Sequence, residues 1–161
     1  YAPGVDTERD IVKMAVFERH KNTGHVGLGF LGKYGLKKGA VATSIGHDSH
    51  NLVVVGVREE DMVLAANQVL KNQGGLAIAL DGSIAAELPL PIAGLMTDLP
   101  AEMVEEKLAE MKGLLRKLGI SEEIDPFMTL AFVSLPVIPD IRLNTYGIID
   151  VPNHQIVEAV F

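Results

Sequence analysis

The first half of the chain alternates short apolar runs with polar stretches, which is typical of strands buried in a sheet. Each of five such runs predicts one strand: Asp10–Phe17, Ala40–Ile45, Leu52–Val57, Leu76–Leu80 and Ile84–Leu88. The second and third of these strands flank a five-residue polar connection and are expected to pair as a hairpin. The dipeptide Asp81-Gly82, a common tight turn, predicts that the last two pair in the same way.

Two longer segments carry apolar residues at helical spacing. The first, Arg58–Asn72, has acids in its first turn, where the helix dipole favours them, and stops at Gly74-Gly75. The second begins at Asp98 and Pro100, keeps its apolar stripe to about Leu118, and stops at Gly119. We therefore expect two main helices.

The other segments are less regular. Glycines crowd Gly24–Gly39 and predict tight turns or close backbone approach, while three prolines make Ile124–Asp140 irregular or broken into short strands. Pro89 and Pro91 indicate that Leu88–Met96 forms an extended edge or a wall. A turn at Asn144–Gly147 and a strand at Ile156–Phe161 complete the prediction. The fold class is α+β, one domain over residues 1–161, with mixed short strands in one or two sheets.

Composition narrows the functional classes. The net charge of −7 disfavours nucleic acid and anionic membranes as partners, and no apolar run reaches the roughly 20 residues of a membrane-spanning helix. The chain has no cysteine, which excludes disulfides and thiolate metal sites and fits a cytoplasmic location. The first residue is not Met, so we expect a piece of a longer chain or a processed product.

One glycine pattern resembles a nucleotide-binding fingerprint. Gly27–Gly32 matches G-x-G-x-x-G, but that motif requires a buried strand before it and a helix that begins on it. Neither flank of this segment fits, so we interpret it as a glycine-rich turn region.

The densest polar segment is the polar loop, His47-Asp48-Ser49-His50-Asn51, which lies between two apolar strands. Buried polar groups each need a partner, so this concentration at the end of a strand suggests a site. The two imidazoles and the carboxylate are possible metal ligands, although a complete site needs more of them. Ser49 lacks the G-x-S-x-G context of a nucleophile. A loop that merely satisfies its own backbone is the alternative.

Taken together, these motifs resemble the C-terminal domain of bacterial and archaeal adenine deaminases, in order and with similar spacing from Asp10 onward. The segments that carry the resemblance are Gly35–Ser44, the polar loop, Val54–Gly56, Glu60–Met62, Gly74-Gly75, Glu87–Met96, Asp125–Phe132 and Leu135–Pro139. That family belongs to the amidohydrolase superfamily and converts adenine and water to hypoxanthine and ammonia.

The resemblance implies that the reaction centre lies elsewhere. The family holds manganese or iron in a (β/α)₈ barrel, which needs at least about 200 residues, and this chain has no His-x-His pair to begin such a site. We therefore expect no metal, no cofactor and no certain catalytic residue here, and an isolated chain that is inactive. We expect it to partner the barrel of the same parent chain, to meet adenine only in the complete enzyme, and to form a homo-oligomer.

The polar loop is the candidate for the substrate pocket: we expect His47–Asn51 to face the barrel and to help shape or close the purine site. Two alternatives stay open at this point. One is a structural or oligomerisation module, and the other is a self-sufficient domain that binds a small ligand such as a purine.

Overall fold

The computed structural model describes residues 2–158. Within that range the chain forms nine strands and three helices. The strands are β1 Ile11–Phe17, β2 Val26–Gly32, β3 Ala40–Thr43, β4 Leu52–Gly56, β5 Gly75–Leu80, β6 Ser83–Pro89, β7 Ile141–Asn144, β8 Gly147–Asp150 and β9 Gln155–Val157. The helices are α1 Glu59–Lys71, α2 Ala101–Lys117 and α3 Pro126–Val133.

The strands form two antiparallel sheets. The larger has the order β2-β1-β4-β3-β5-β6, and the smaller has the order β7-β8-β9. The α+β class and both predicted hairpins are confirmed: β3 pairs with β4, and β5 pairs with β6. Asp81 and Gly82 both have positive φ, as a two-residue hairpin turn requires. The six-stranded sheet places β3 and β4, which flank the polar loop, at its centre.

Side chains that alternate along the strands build a core on each face of the large sheet. On one face the small alanines of β3 and β5 pack against Met62, Ala65 and Val69 of α1. On the other face the larger side chains of β1 and β4 pack against α2, α3 and Leu143 of the small sheet. The apolar stripes of the two predicted helices therefore do face cores, and their predicted positions are confirmed.

The prediction for Ile124–Asp140 was wrong, because this segment contains α3. Asp125 caps the helix by accepting the N–H groups of Phe127 and Met128, both at 3.0 Å. Pro126 occupies the first turn, where its missing N–H costs no hydrogen bond. The Asp-Pro pair was the available signal, but α3 is apolar on all sides and shows no stripe.

The prediction of a turn region at Gly27–Gly32 was also wrong, since these residues belong to β2 and pair with β1 along its whole length. A Cβ at Gly27 would lie 1.7 Å from the Asn144 carbonyl oxygen, so this glycine lets the small sheet lie directly on β2. The glycines hide the alternation of a strand because they leave one face without side chains. No helix begins on this segment, which gives no support to a nucleotide site.

The remaining predictions mostly hold. The β6 strand, which ends at Pro89, lies at the sheet edge, but the extended edge predicted for Leu88–Met96 was wrong beyond Pro89, because residues 91–96 form a turn closed by the Ile92–Met96 bridge. The turn at Asn144–Gly147 connects β7 and β8. Of the strand predicted at Ile156–Phe161, only its start coincides with β9, and residues 159–161 lie outside the described part of the chain.

Candidate functional site

The polar loop connects two central strands and projects beyond the end of the large sheet. The His50 N–H donates to the Gly46 carbonyl at 2.7 Å, and the Gly46 N–H donates to His50 Nδ1 at 3.4 Å, which closes the loop on itself. Asp48 and Ser49 at its tip are exposed, His47 and His50 are half-buried, and Asn51 is buried where β4 begins. The structure thus presents four of the five predicted residues to the surface and withdraws Asn51.

Two residues that follow β1 bind the main-chain carbonyls of this loop through their side chains. Arg19 Nε donates to the His50 carbonyl at 2.6 Å. His20 Nε2 donates to the Ser49 carbonyl at 2.7 Å and lies 3.1 Å from the His50 carbonyl. These bonds occupy the main chain of the loop and leave its side chains unconstrained by Arg19 or His20. We call these two residues the clasp.

Glu18 shapes the turn that presents the clasp. Its carboxylate accepts the main-chain N–H groups of His20, Lys21 and Thr23 at 2.6, 2.7 and 3.1 Å. The N–H of Thr23 contributes most to lowering the pKa of Glu18 to about 2, and those of His20 and Lys21 add to it. The carboxylate therefore stays ionised at any pH near neutrality and keeps the turn folded.

A third segment, residues 91–96, joins the site through Arg19 and Ser44. Arg19 Nη2 donates to the Ala93 carbonyl at 2.8 Å. The buried Ser44 hydroxyl donates to the Gly94 carbonyl at 2.6 Å and accepts the Gly75 N–H at 2.7 Å. Sequence reasoning missed Arg19, His20 and Ser44, because nothing local indicates which distant carbonyls they bond.

Exposed apolar side chains accompany this polar surface. The His47 ring lies 5.2 Å from the ring of Phe132 on α3, centroid to centroid. Phe132 and Met128, one turn earlier on α3, are exposed, as are Ile92 and Met96 on either side of Ala93. Large apolar side chains beside a polar site are typical of surfaces that another protein part covers.

The surroundings of His50 disfavour its charged form. Burial lowers the pKa of His50, and the nearby His47, Arg19 and His20 lower it further, whereas Asp48 opposes them. Because His50 Nδ1 accepts the Gly46 N–H, the proton of the neutral ring lies on Nε2. His50 can therefore donate one hydrogen bond outward at neutral pH. Burial also lowers the pKa of Arg19, but a guanidinium remains charged under such conditions.

The described residues do not fit a metal centre. Among residues 2–158 there is no group of three or more His, Cys, Asp or Glu side chains placed to hold an ion. The rings of His47 and His50 are 6.3 Å apart, one resting on Phe132 and the other accepting a main-chain N–H. These contacts are those of hydrogen-bonding and packing residues.

A cavity of about 440 Å³ opens beside the clasp. Its wall includes Arg19 and His20, and its apolar floor comes from β1, β4 and α1; its lining does not include His47 or His50. This cavity does not enclose the polar loop, and the loop side chains stand outside it.

Comparison with known proteins places the chain in a family. Residues 2–155 match the model of the adenine deaminase C-terminal domain. Adenine deaminase 2 of Carboxydothermus hydrogenoformans is 51% identical over 151 residues, which cover 94% of this chain and 26% of that protein. The adenine deaminase of Archaeoglobus fulgidus is 48% identical over 155 residues, covering 96% of this chain and 28% of that protein.

On these similarities, the chain belongs to the adenine deaminase C-terminal domain family. The chain spans about a quarter of the length of the curated relatives it matches. The resemblance inferred from the sequence is thereby confirmed, and the alternatives of an oligomerisation module or a self-sufficient purine-binding domain gain no support. Within residues 2–158, no helix combines the length and the apolar character needed to cross a bilayer.

Proposed function

We propose that this chain works as the C-terminal part of an adenine deaminase, the hydrolase that converts adenine and water to hypoxanthine and ammonia. In this proposal a barrel-bearing catalytic part of the same polypeptide carries the reaction centre. The polar loop then forms one wall of the purine pocket. The relatives named above are adenine deaminases of which the matched region covers 26% and 28%, which supports this division of labour.

The observation that carries the proposal is the arrangement of the polar loop. Its carbonyls are bonded from behind by Arg19 and His20, while His47, Asp48, Ser49 and His50 stand at the surface. A loop that only satisfied itself would turn these side chains toward its own backbone. Here only His50 does so, through Nδ1, and its Nε2–H remains for a partner.

The loop offers the groups that a purine requires. Adenine presents ring nitrogens that accept hydrogen bonds and an amino group that donates them. The neutral His50 supplies a donor, and the Asp48 carboxylate supplies an acceptor for an amino or ring N–H. If these groups are held in place before the purine binds, they favour one orientation of the purine and help to exclude water from its pocket.

In the proposal, the catalytic part of the enzyme covers the exposed apolar side chains beside the loop. Phe132 packs against His47, and Ile92 and Met96 flank the segment that Arg19 bonds. Burying them against the catalytic part would remove apolar surface from water and seal the edge of the pocket. Manganese or iron, expected from the resemblance, would be held by that other part, because the residues described here do not fit it.

Asp48→Asn and His50→Asn in the full-length enzyme test the proposal. Asparagine suits position 50 because His50 has φ +50°, a region that asparagine tolerates. Matched controls are Asp98→Asn, an exposed aspartate elsewhere, and His154→Asn, whose φ is +52°. Each loop variant is expected to lower kcat/KM for adenine by ten-fold or more with an unchanged melting temperature. Loop variants as active as both controls would refute the pocket assignment.

Two further expectations belong to the same proposal. A homo-oligomer and a cytoplasmic location remain predictions from the sequence and its resemblance. Sedimentation of the full-length enzyme would test the first, and fractionation of cells that express it would test the second.

A further inference from the structure

Arg19 joins two loops that are far apart in the sequence. Its Nε bonds the His50 carbonyl of the polar loop and its Nη2 bonds the Ala93 carbonyl of segment 91–96. The two loops leave the sheet from different strands, since one follows β3 and the other follows β6. A single planar side chain thus fixes the distance between them.

The main chain around Gly94 forms a socket for the guanidinium. A Cβ at Gly94 would lie 2.4 Å from Arg19 Nη2 and 2.8 Å from Cζ, so only a glycine lets Arg19 lie this close. Gly94 also has φ +76°, which favours glycine independently. The Ser44 hydroxyl holds the Gly94 carbonyl from the other side at 2.6 Å. The Gly94 end of the socket is therefore held by a hydrogen bond that does not involve Arg19.

At the polar loop the clasp acts on a residue with an uncommon backbone conformation. His50 has φ +50°, a region that non-glycine residues adopt only when their surroundings hold them there. Its carbonyl accepts from Arg19 at 2.6 Å and lies 3.1 Å from His20 Nε2. Because these bonds fix the His50 carbonyl, they also fix the main chain that carries the His50 imidazole and the Asp48 carboxylate.

We propose that Arg19 is a positioning residue for adenine deamination, which sets the geometry of the polar loop by bridging it to segment 91–96. This inference rests on the proposed function of the loop. In this role Arg19 acts through the loop, since its Nε and Nη2 donors are both directed at main-chain carbonyls. Lysine is a poor replacement, since its one nitrogen cannot occupy both the Nε and the Nη2 positions from which the guanidinium reaches the two carbonyls.

The test uses Arg19→Gln and Arg19→Lys in the full-length enzyme. The matched control is Arg142→Gln, because Arg142 is another half-buried arginine whose guanidinium donates to two main-chain carbonyls, those of Pro139 and Ile141. Its bonds stay within its own segment and do not reach the polar loop. The measurements are kcat and KM for adenine, the melting temperature, and amide hydrogen exchange in residues 46–51.

Misplacing a reactive group by about 1 Å can cost a hundred-fold in rate. Arg19→Gln is therefore expected to lower kcat/KM by ten- to a hundred-fold, mainly through kcat, and to speed exchange at the His50 amide. Arg19→Lys should recover little of this loss although it keeps the charge. The melting temperatures of both variants should stay close to that of Arg142→Gln, which should remain fully active.

Several results would overturn the inference: activity of Arg19→Gln within two-fold of the unmodified enzyme, full recovery in Arg19→Lys, an equal loss in Arg142→Gln, or lost activity with unchanged exchange in residues 46–51. The loop variants separate this failure from failure of the proposed function. If Asp48→Asn and His50→Asn lose activity while Arg19→Gln keeps normal activity, only the positioning role of Arg19 is refuted. Normal activity in those two loop variants would remove the pocket assignment itself.

Discussion

At Gly27 on β2 the main chain of the small sheet leaves no room for a Cβ, so adding one methyl group there tests the packing. A Cβ at Gly27 would lie 1.7 Å from the Asn144 carbonyl oxygen and 2.9 Å from its carbonyl carbon. An ordinary contact between carbon and carbonyl oxygen is about 3.3 Å, so the β7–β8 hairpin would have to withdraw by about 1.5 Å. That movement also separates Leu143 from the core it enters.

Overpacking a well-packed site costs roughly 1–3 kcal/mol. We expect Gly27→Ala to lower the free energy of unfolding by about 3 kcal/mol, at the upper end of this range, because the obstructing atoms belong to the main chain. Gly29→Ala is the matched control. The atoms nearest to its Cβ would be side-chain carbons of Leu143 and Ile148, at 3.4 Å or more. Replacing a strand glycine there should change stability by about 1 kcal/mol at most, in the favourable direction.

Urea unfolding of the two variants is followed by circular dichroism. If the dependence of the free energy of unfolding on urea concentration is the same for both, the shift of the urea midpoint measures their difference in stability. Hydrogen exchange in residues 141–157 shows whether the small sheet is the part that loosens. Equal midpoints for Gly27→Ala and Gly29→Ala would refute the close packing of the two sheets. A loss of stability without faster exchange in residues 141–157 would refute the reason given for it.

Three further predictions concern buried or capping hydrogen bonds. Tyr34→Phe removes the hydroxyl that donates to the Pro126 carbonyl at 2.9 Å, and should lower the free energy of unfolding by about 1–3 kcal/mol. Asp125→Ala removes the cap of α3 and the 2.6 Å bond from Lys112, which should cost about 1 kcal/mol near neutral pH. Ser44→Ala leaves two main-chain groups unpaired and should cost about 2 kcal/mol, with faster exchange at the Gly75 amide.

The Asp125 effect should depend on pH in a defined direction. Partial burial opposes ionisation, but the bonds from Lys112 and from the N–H groups of Met128 and Phe127 outweigh it and lower the pKa of Asp125. A lowered pKa in the folded state contributes stability that is complete above the ordinary carboxyl range and disappears as the pH falls through the lowered value. The free energy of unfolding of the unmodified protein should therefore exceed that of Asp125→Ala by less in acid than at neutral pH. An excess that stays constant with pH would contradict this reasoning.

Denaturant midpoints at neutral pH check the other two variants. A midpoint of Tyr34→Phe equal to that of the unmodified protein would contradict a paired hydroxyl at that position. For Ser44→Ala, a Gly75 amide that still exchanges slowly would contradict the hydrogen bond from that amide to the serine hydroxyl.

The fold was predictable wherever a periodic pattern survives in the sequence. The stripe of α1 buries one face of that helix, and the short apolar runs of β5 and β6 lie on either side of a turn signal, so all three elements were found. The helix α3 was missed because Phe127, Leu130 and Phe132 spread apolar side chains over all of its faces, and its cap at Asp125 was the sole local signal. The β2 strand was missed because Gly27 and Gly29 remove the side chains that would reveal alternation.

The candidate site was predictable only in its local part. Five polar residues in a row indicated the loop, and the structure places four of them at the surface. The clasp follows a different strand, and Ser44 bonds residues 31 and 50 positions away. Such pairings depend on the strand order β1-β4-β3-β5, which no short-range pattern contains.

The double hydrogen bond of Arg19 has a consequence for protein engineering. A peptide copied from residues 46–51 into another scaffold would lack the guanidinium and the glycine socket that hold its carbonyls. The smallest transplantable unit therefore comprises three separated pieces of chain together with the strands that bring them side by side. Exchanging this loop between related enzymes should succeed where the recipient supplies an arginine and a glycine at the positions of Arg19 and Gly94, or where residues 18–20 and 91–96 are exchanged with it.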